Sequence, residues 1–221
     1  MIMNIGKKTR NIRYKGVKLI MKYITPKLLE SIHHSTFSRN HIKLMKDINP
    51  INVRPAIQFI KNIFKDKDLI GLELGVNRGL NAKSIIENLN IKKLFLVDIW
   101  KNYYYIPKNA NKNYLFVKQI FKNDNRIEII KGKSLEVCKN FNNMLDFIYI
   151  DSNHSYNDVY NDLLNWITKI KINGIISGHD IDSYSLDYEA PQVYPAVIDF
   201  CSDYGYVFYI DTPDFYFIKR E

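Results

Sequence analysis

The chain has 221 residues, 46% hydrophobic and 14% aromatic, with a formal charge of +9. That length and composition carry one domain with a real core and exclude a disordered chain. No run approaches the ~20 apolar residues of a membrane span, two lone cysteines make neither a zinc ligand set nor a disulfide framework, and no signal peptide is legible, so the expected location is cytoplasmic.

The charge is concentrated at the start. Residues 1–30 hold Lys7, Lys8, Arg10, Arg13, Lys15, Lys18, Lys22 and Lys27 against one acid, Glu30. Val17, Ile20, Met21 and Ile24 share a helical face, which predicts a short amphipathic basic helix. The expected division is a basic helical extension over 1–45 and a body over 46–221. Such an arm suits a solvated surface or peripheral contact with the anionic inner face of a membrane. Nucleic acid is the weaker candidate, because no aromatic platform interleaves with the charges.

Helices are expected at 26–34 and 55–64, each opened by Pro. From there strand and helix alternate: strands at 69–74, 93–99, 126–132, 145–151 and 174–180, helices at 81–89, 113–121, 157–170 and 195–205. Residues 206–210 and 215–220 are placed to pair around "DTPD". The strands are continuously apolar, as strands buried on both faces are. The expected class is α/β: a Rossmann-like, doubly wound, seven-stranded sheet, mostly parallel, with a C-terminal antiparallel hairpin. Ligands of such sheets bind at the carboxyl ends of the strands, where strand order reverses.

Those ends carry the chemistry. After the first strand of the body stands Glu73-Leu-Gly75-Val-Asn-Arg-Gly79. The spacing matches neither the G-x-G-x-x-G dinucleotide fingerprint nor a phosphate loop, which argues against an NAD-dependent dehydrogenase. An acid ahead of the glycines would repel pyrophosphate and suits a cationic ligand. Asp98 and Trp100 follow the second strand, Gly132 and Ser134 the third, Asp151 and His154 the fourth, His179 and Asp180 the fifth. Asp98 is placed to accept from ribose hydroxyls.

Taken together, the Glu73–Gly79 loop, Asp98, "IDSNHSYNDVYNDLLNW" and "GIISGHD" resemble class I S-adenosylmethionine (SAM) methyltransferases. The resemblance, over roughly residues 50–221, is to the bacterial branch near the catechol, caffeoyl-CoA and macrocin-type O-methyltransferases. It implies SAM as cofactor, with Glu73, Gly75 and Gly79 at its methionine part, Asp98 at its ribose, and Gly132, Ser134 and Trp100 near its adenine. It also implies that Asp151 borders the cofactor and, with Asp180, matches two Mg²⁺ ligands of the catechol-type enzymes. One departure is Ile181, which stands where those enzymes carry an Asn ligand. His154, His179 or Asp182 could complete a shell.

Methyl transfer to a hydroxyl needs a base or a metal that frees the nucleophile's lone pair. His154 is the first candidate for base, since an imidazole titrates near neutrality; it could instead only orient Asp151. The expected function is O-methylation of a small-molecule or glycan hydroxyl. The alternatives are an RNA or DNA methyltransferase and a binding protein that keeps the fold without catalysis.

Overall fold

A computed structural model of the chain describes residues 10–14, 17–21, 53–101, 109–182 and 192–221. The chain divides into two compact units, Met1–Asn52 and Val53–Glu221. In the first unit, β1 (Arg10–Tyr14) pairs antiparallel with β2 (Val17–Met21), Tyr14 opposite Val17. The short helix expected here is therefore a strand over Val17–Met21. Residues 17, 19 and 21 are apolar at period two, and so short a run does not separate the two periods. Its Val and Ile favour extended backbone. The helix expected at 26–34, with His33 and His34, lies outside the described residues.

The second unit holds seven strands: β3 (Leu69–Leu74), β4 (Ile91–Asp98), β5 (Ile127–Lys131), β6 (Leu145–Ile150), β7 (Ile170–Gly178), β8 (Phe208–Asp211) and β9 (Asp214–Ile218). Their order is β5-β4-β3-β6-β7-β9-β8. The first five are mutually parallel, and β9 runs antiparallel to both β7 and β8. Strand order reverses at β3, whose two neighbours are β4 and β6. The switch point expected to bind a ligand thus lies between the carboxyl ends of β3, β4 and β6.

Among the described residues six α-helices cover the sheet: α1 (Pro55–Phe64), α2 (Leu80–Asn88), α3 (Ala110–Ile120), α4 (Ser134–Asn140), α5 (Tyr156–Trp166) and α6 (Val193–Asp203). The alternation of side chains along each strand assigns them to two faces. On one face Ile57, Ile60, Ile85 and Val117 pack with Leu94, Leu96, Phe147, Tyr149 and Tyr216. On the other, Phe95 meets Phe141 edge-on at 4.9 Å, Phe141 meets Trp166 at 5.4 Å, and Phe200 meets Phe217 at 6.1 Å. Each such side chain contributes about 1.5–3 kcal/mol by leaving water.

Polar side chains fix the ends. Buried Asp146, at the start of β6, accepts from Lys67 (2.8 Å), the Ile70 N–H (2.9 Å) and Lys171 (3.0 Å). Pro55 opens α1, and Asp214 Oδ2 accepts the Ala56 N–H at 3.0 Å, so a carboxylate from β9 does the work of an N-cap. Helix α5 opens on Ser155, whose hydroxyl accepts the Asp158 N–H, as the capping pattern predicts. It stops at Trp166 and passes through a 3₁₀ turn, so β7 begins at Ile170, paired with Leu145, four residues earlier than expected. Helix α4 is one the periodicity did not announce; it has seven residues.

Candidate functional site

The loop after β3 is shaped by two left-handed glycines, Gly75 (φ 88°) and Gly79 (φ 76°). A Cβ on Gly75 would stand 1.9 Å from the Asp151 carbonyl oxygen. Around that contact the Gly75 N–H donates to Val97 O (2.9 Å) and the Asp151 N–H to Leu74 O (2.7 Å). Gly75 therefore lets the loops after β3 and β6 close on each other, a role that the expectation of ligand access did not include. Gly79 is the left-handed cap of α2.

Beneath this loop lies Glu73, 1% exposed. Its Oε1 accepts from Asn81 Nδ2 at 3.1 Å, while Glu73 Oε2 and Asn81 Oδ1 have no partner. Burial pushes the Glu73 carboxyl up to about 8. Two buried polar atoms without partners carry a desolvation cost, and burial keeps the carboxyl protonated below about pH 8. A ligand bringing N–H groups or positive charge would relieve it.

Asp98 ends β4 and holds the next two turns together. Its Oδ2 accepts the Asn77 N–H (2.8 Å) and its Oδ1 the Trp100 N–H (2.7 Å). A carboxylate accepts about four hydrogen bonds, so capacity for hydroxyls remains. Trp100 is 5% exposed, has φ 39°, donates its indole N–H to Asn77 O (2.9 Å) and packs 5.0 Å from the Tyr114 ring. A bulky residue in the left-handed region costs about 1–3 kcal/mol and persists where its surroundings hold it; here Asp98 and Asn77 do. Next to this strand end, the Gly132 N–H donates to Asp98 O at 3.0 Å. Ser134, expected to line the adenine, opens α4 with its hydroxyl turned toward Asp162 of α5.

Across the Gly75 seam three groups converge. Ligand atoms of Asp151, His154 and Asp180 all lie within 4.8 Å of one another. His154 Nε2 is 3.5 Å from Asp151 Oδ1 and 3.3 Å from Asp180 Oδ2, yet it is buried and aligned for a hydrogen bond with neither. Contact with Asp151 raises the imidazole pKa; burial opposes this and the two carboxylate charges support it. Burial alone would push Asp180 up, but His179, 3.1 Å away, with His154 and Arg54, leaves it lowered. Of the three residues considered to complete a metal shell, His154 joins the cluster, whereas His179 braces Asp180. Tyr156 turns to α6, its hydroxyl 3.0 Å from Asp199, and serves helix packing.

Arg54, at the start of α1, is a member that the sequence did not announce. Its Nη1 donates to the Tyr149 hydroxyl (2.5 Å) and stands 3.5 Å from Asp151 Oδ2. Tyr149 in turn donates to Asp214 Oδ1 at 2.8 Å. These partners come from α1, β6 and β9, and no local motif links them. Most of the Tyr- and acid-rich segment after β7 (residues 183–191) lies outside the described residues, and no helix among the described residues is long and apolar enough to cross a membrane.

Residues 72–181 match a family model described as a methyltransferase domain. No curated protein matches at a significant level. Among solved structures, an O-methyltransferase from Bacillus cereus in complex with SAH is similar at 13% identity and a TM-score of 0.55, over 88% of this chain and 92% of that one. An SAH-bound methyltransferase from Podospora anserina is similar at 13% identity and 0.56, over 85% and 88%. The O-methyltransferase NovP is similar at 15% identity and 0.54, over 75% and 80%. At these identities the structural likeness concerns the fold.

Proposed function

We propose that this chain, which carries a class I SAM-dependent methyltransferase domain, methylates a hydroxyl group on a small molecule or glycan. The observation that carries the acceptor chemistry is the buried His154 Nε2, held without a hydrogen bond between Asp151 and Asp180. SAM supplies the methyl group as a sulfonium. Glu73 and Asn81, whose buried polar atoms lack partners, would face the ammonium end, whose charge would favour the ionised carboxylate; Asp98 would take the ribose hydroxyls with its spare lone pairs, and the Gly132 backbone would border the adenine. His154 Nε2 accepts the proton of the acceptor hydroxyl, and the two carboxylates stabilise the imidazolium that results. Arg54 and His179 hold those carboxylates in place.

A second reading uses the same atoms. Two carboxylates and an imidazole nitrogen within 4.8 Å form a donor set that suits a divalent cation, Mg²⁺ or a softer ion such as Mn²⁺. Bound there, such an ion would lower the pKa of the acceptor hydroxyl. The location is taken to be cytoplasmic, with the basic residues before Glu30 available for peripheral contact with an anionic membrane.

The test is calorimetric titration of S-adenosylhomocysteine into the full chain, with Mg²⁺ and with EDTA. Saturable binding is expected. A metal-dependent heat lost in Asp151→Asn and Asp180→Asn would favour the second reading, and acceptor trials would begin with vicinal diols. Binding without metal response favours His154 as sole base. No binding under either condition would overturn the methyltransferase assignment and leave a non-catalytic protein of this fold.

A further inference from the structure

Helix α5 buries Val159, Leu163 and Trp166 against the sheet, and among them it also buries a carboxylate. Asp162 is 4% exposed. Burial raises its pKa to about 6, against two serine hydroxyls that lower it. An apolar side chain there would avoid that desolvation. What Asp162 does instead is accept from both sides. Ser134 Oγ donates to its Oδ1, and Ser152 Oγ donates to its Oδ2 at 2.6 Å. The Trp166 indole N–H donates to Ser134 Oγ at 2.8 Å, which turns the serine proton toward Asp162.

The two serines belong to different strand ends. Ser134 begins α4, two residues past Gly132, whose N–H is bound to the Asp98 carbonyl. Ser152 follows Asp151, whose N–H is bound to Leu74 O and whose carbonyl lies against Gly75. One carboxylate thus ties the loop after β5 to the loop after β6, and each loop is already tied to a residue at the switch point.

We propose that Asp162 is a positioning residue: through Ser134 and Ser152 it holds the loops after β5 and β6 in fixed register and so sets two walls of the cofactor site. The proposal rests on the methyltransferase assignment. It also gives the hydroxyl of Ser134 a different task from lining the adenine. The serine orients its own loop by bonding away from the ligand.

The experiment titrates S-adenosylhomocysteine into the full chain and into Asp162→Asn, Ser134→Ala, Ser152→Ala and the double variant Ser134→Ala/Asp162→Asn, with thermal melting in parallel. Asn keeps the shape of Asp162 but one acceptor oxygen, so one tether is lost. Affinity should fall about tenfold in Asp162→Asn, Ser134→Ala and Ser152→Ala alike, each losing one charge-assisted hydrogen bond. The double variant should lose less than the product of the two single losses, because both act through one chain of contacts. If Asp162→Asn does not fold, the two serine variants decide. Variants that melt earlier but bind like wild type would reduce the network to plain packing and overturn the proposal. Wild-type chain that does not bind would overturn the methyltransferase assignment first, and the proposal with it.

Discussion

Arg54 Nη1 meets the Tyr149 hydroxyl at 2.5 Å and stands 3.5 Å from the Asp151 carboxylate, so one guanidinium closes the back of the acidic cluster. Its charge also helps to hold the Asp180 carboxyl low and opposes the burial that raises Asp214. In Arg54→Met these acids lose their common counter-charge. Stability should fall by about 1–3 kcal/mol, less than for a fully buried pair because the Arg54 side chain is partly exposed. Turnover should fall further than cofactor affinity, since the disturbed groups serve the acceptor. Arg54→Lys should not restore it, because an ammonium lacks the fork that serves two partners. Denaturant melts and steady-state kinetics on the two variants check this.

Glu73 gives the protein a signature in pH. Its carboxyl is raised from 4.5 to about 8 by burial, so between those values the folded chain binds a proton that the unfolded chain does not. Its contribution to stability is therefore complete below pH 4.5 and is lost as pH rises through about 8. Glu73→Gln removes the titration and keeps an amide able to meet Asn81. Melting curves from pH 5 to 9 should show the wild type losing stability relative to the variant. Parallel curves would place the Glu73 carboxylate in a more polar setting.

Gly75→Ala tests the seam directly. The added methyl would stand 1.9 Å from Asp151 O, a backbone atom, at a residue with φ 88°. Both the contact and the backbone conformation are unfavourable, and the loss should exceed about 3 kcal/mol. Any variant that still folds should have parted the loops after β3 and β6. It should then lose affinity for S-adenosylhomocysteine at least tenfold by calorimetry. Wild-type affinity would mean that the seam is not part of the binding site.

His154→Ala separates binding from chemistry. The imidazole's close partners are Asp151 and Asp180, so affinity for S-adenosylhomocysteine should change less than twofold. Methyl transfer to an accepted hydroxyl should fall by about 10²–10⁴. A variant with full turnover would remove His154 from the mechanism.

The alternation of apolar strands with helices made the sheet legible, and Pro55–Phe64 and Leu69–Leu74 match the structure to the residue. Burial on both faces leaves continuous apolar runs that few other folds produce. Of the candidate site, the positions that follow a strand were legible: Glu73, Asp98, Asp151 and Asp180 all stand at or just past the carboxyl ends. Elsewhere the pattern gave no signal. Val17–Met21 satisfies two periods at once. Ser134–Asn140 is too short to show one. Arg54, Tyr149 and Asp214 carry their roles through partners 65 to 95 positions apart, and a sequence read locally holds no trace of such pairs. Asp162 gives no local signal, because its partners are serines on other elements.

The bond between Ala56 and Asp214 spans 158 positions. At roughly 5–20 residues per second of synthesis, about eight to thirty seconds separate the appearance of α1 from that of the carboxylate that caps it. Late in that interval, once residues 149 and 170–178 have been made, the nascent chain holds Arg54 and Tyr149 without Asp214, and β7 without its neighbour β9. On the ribosome, the Arg54–Tyr149–Asp214 chain behind the acidic cluster is completed only when the final hairpin emerges.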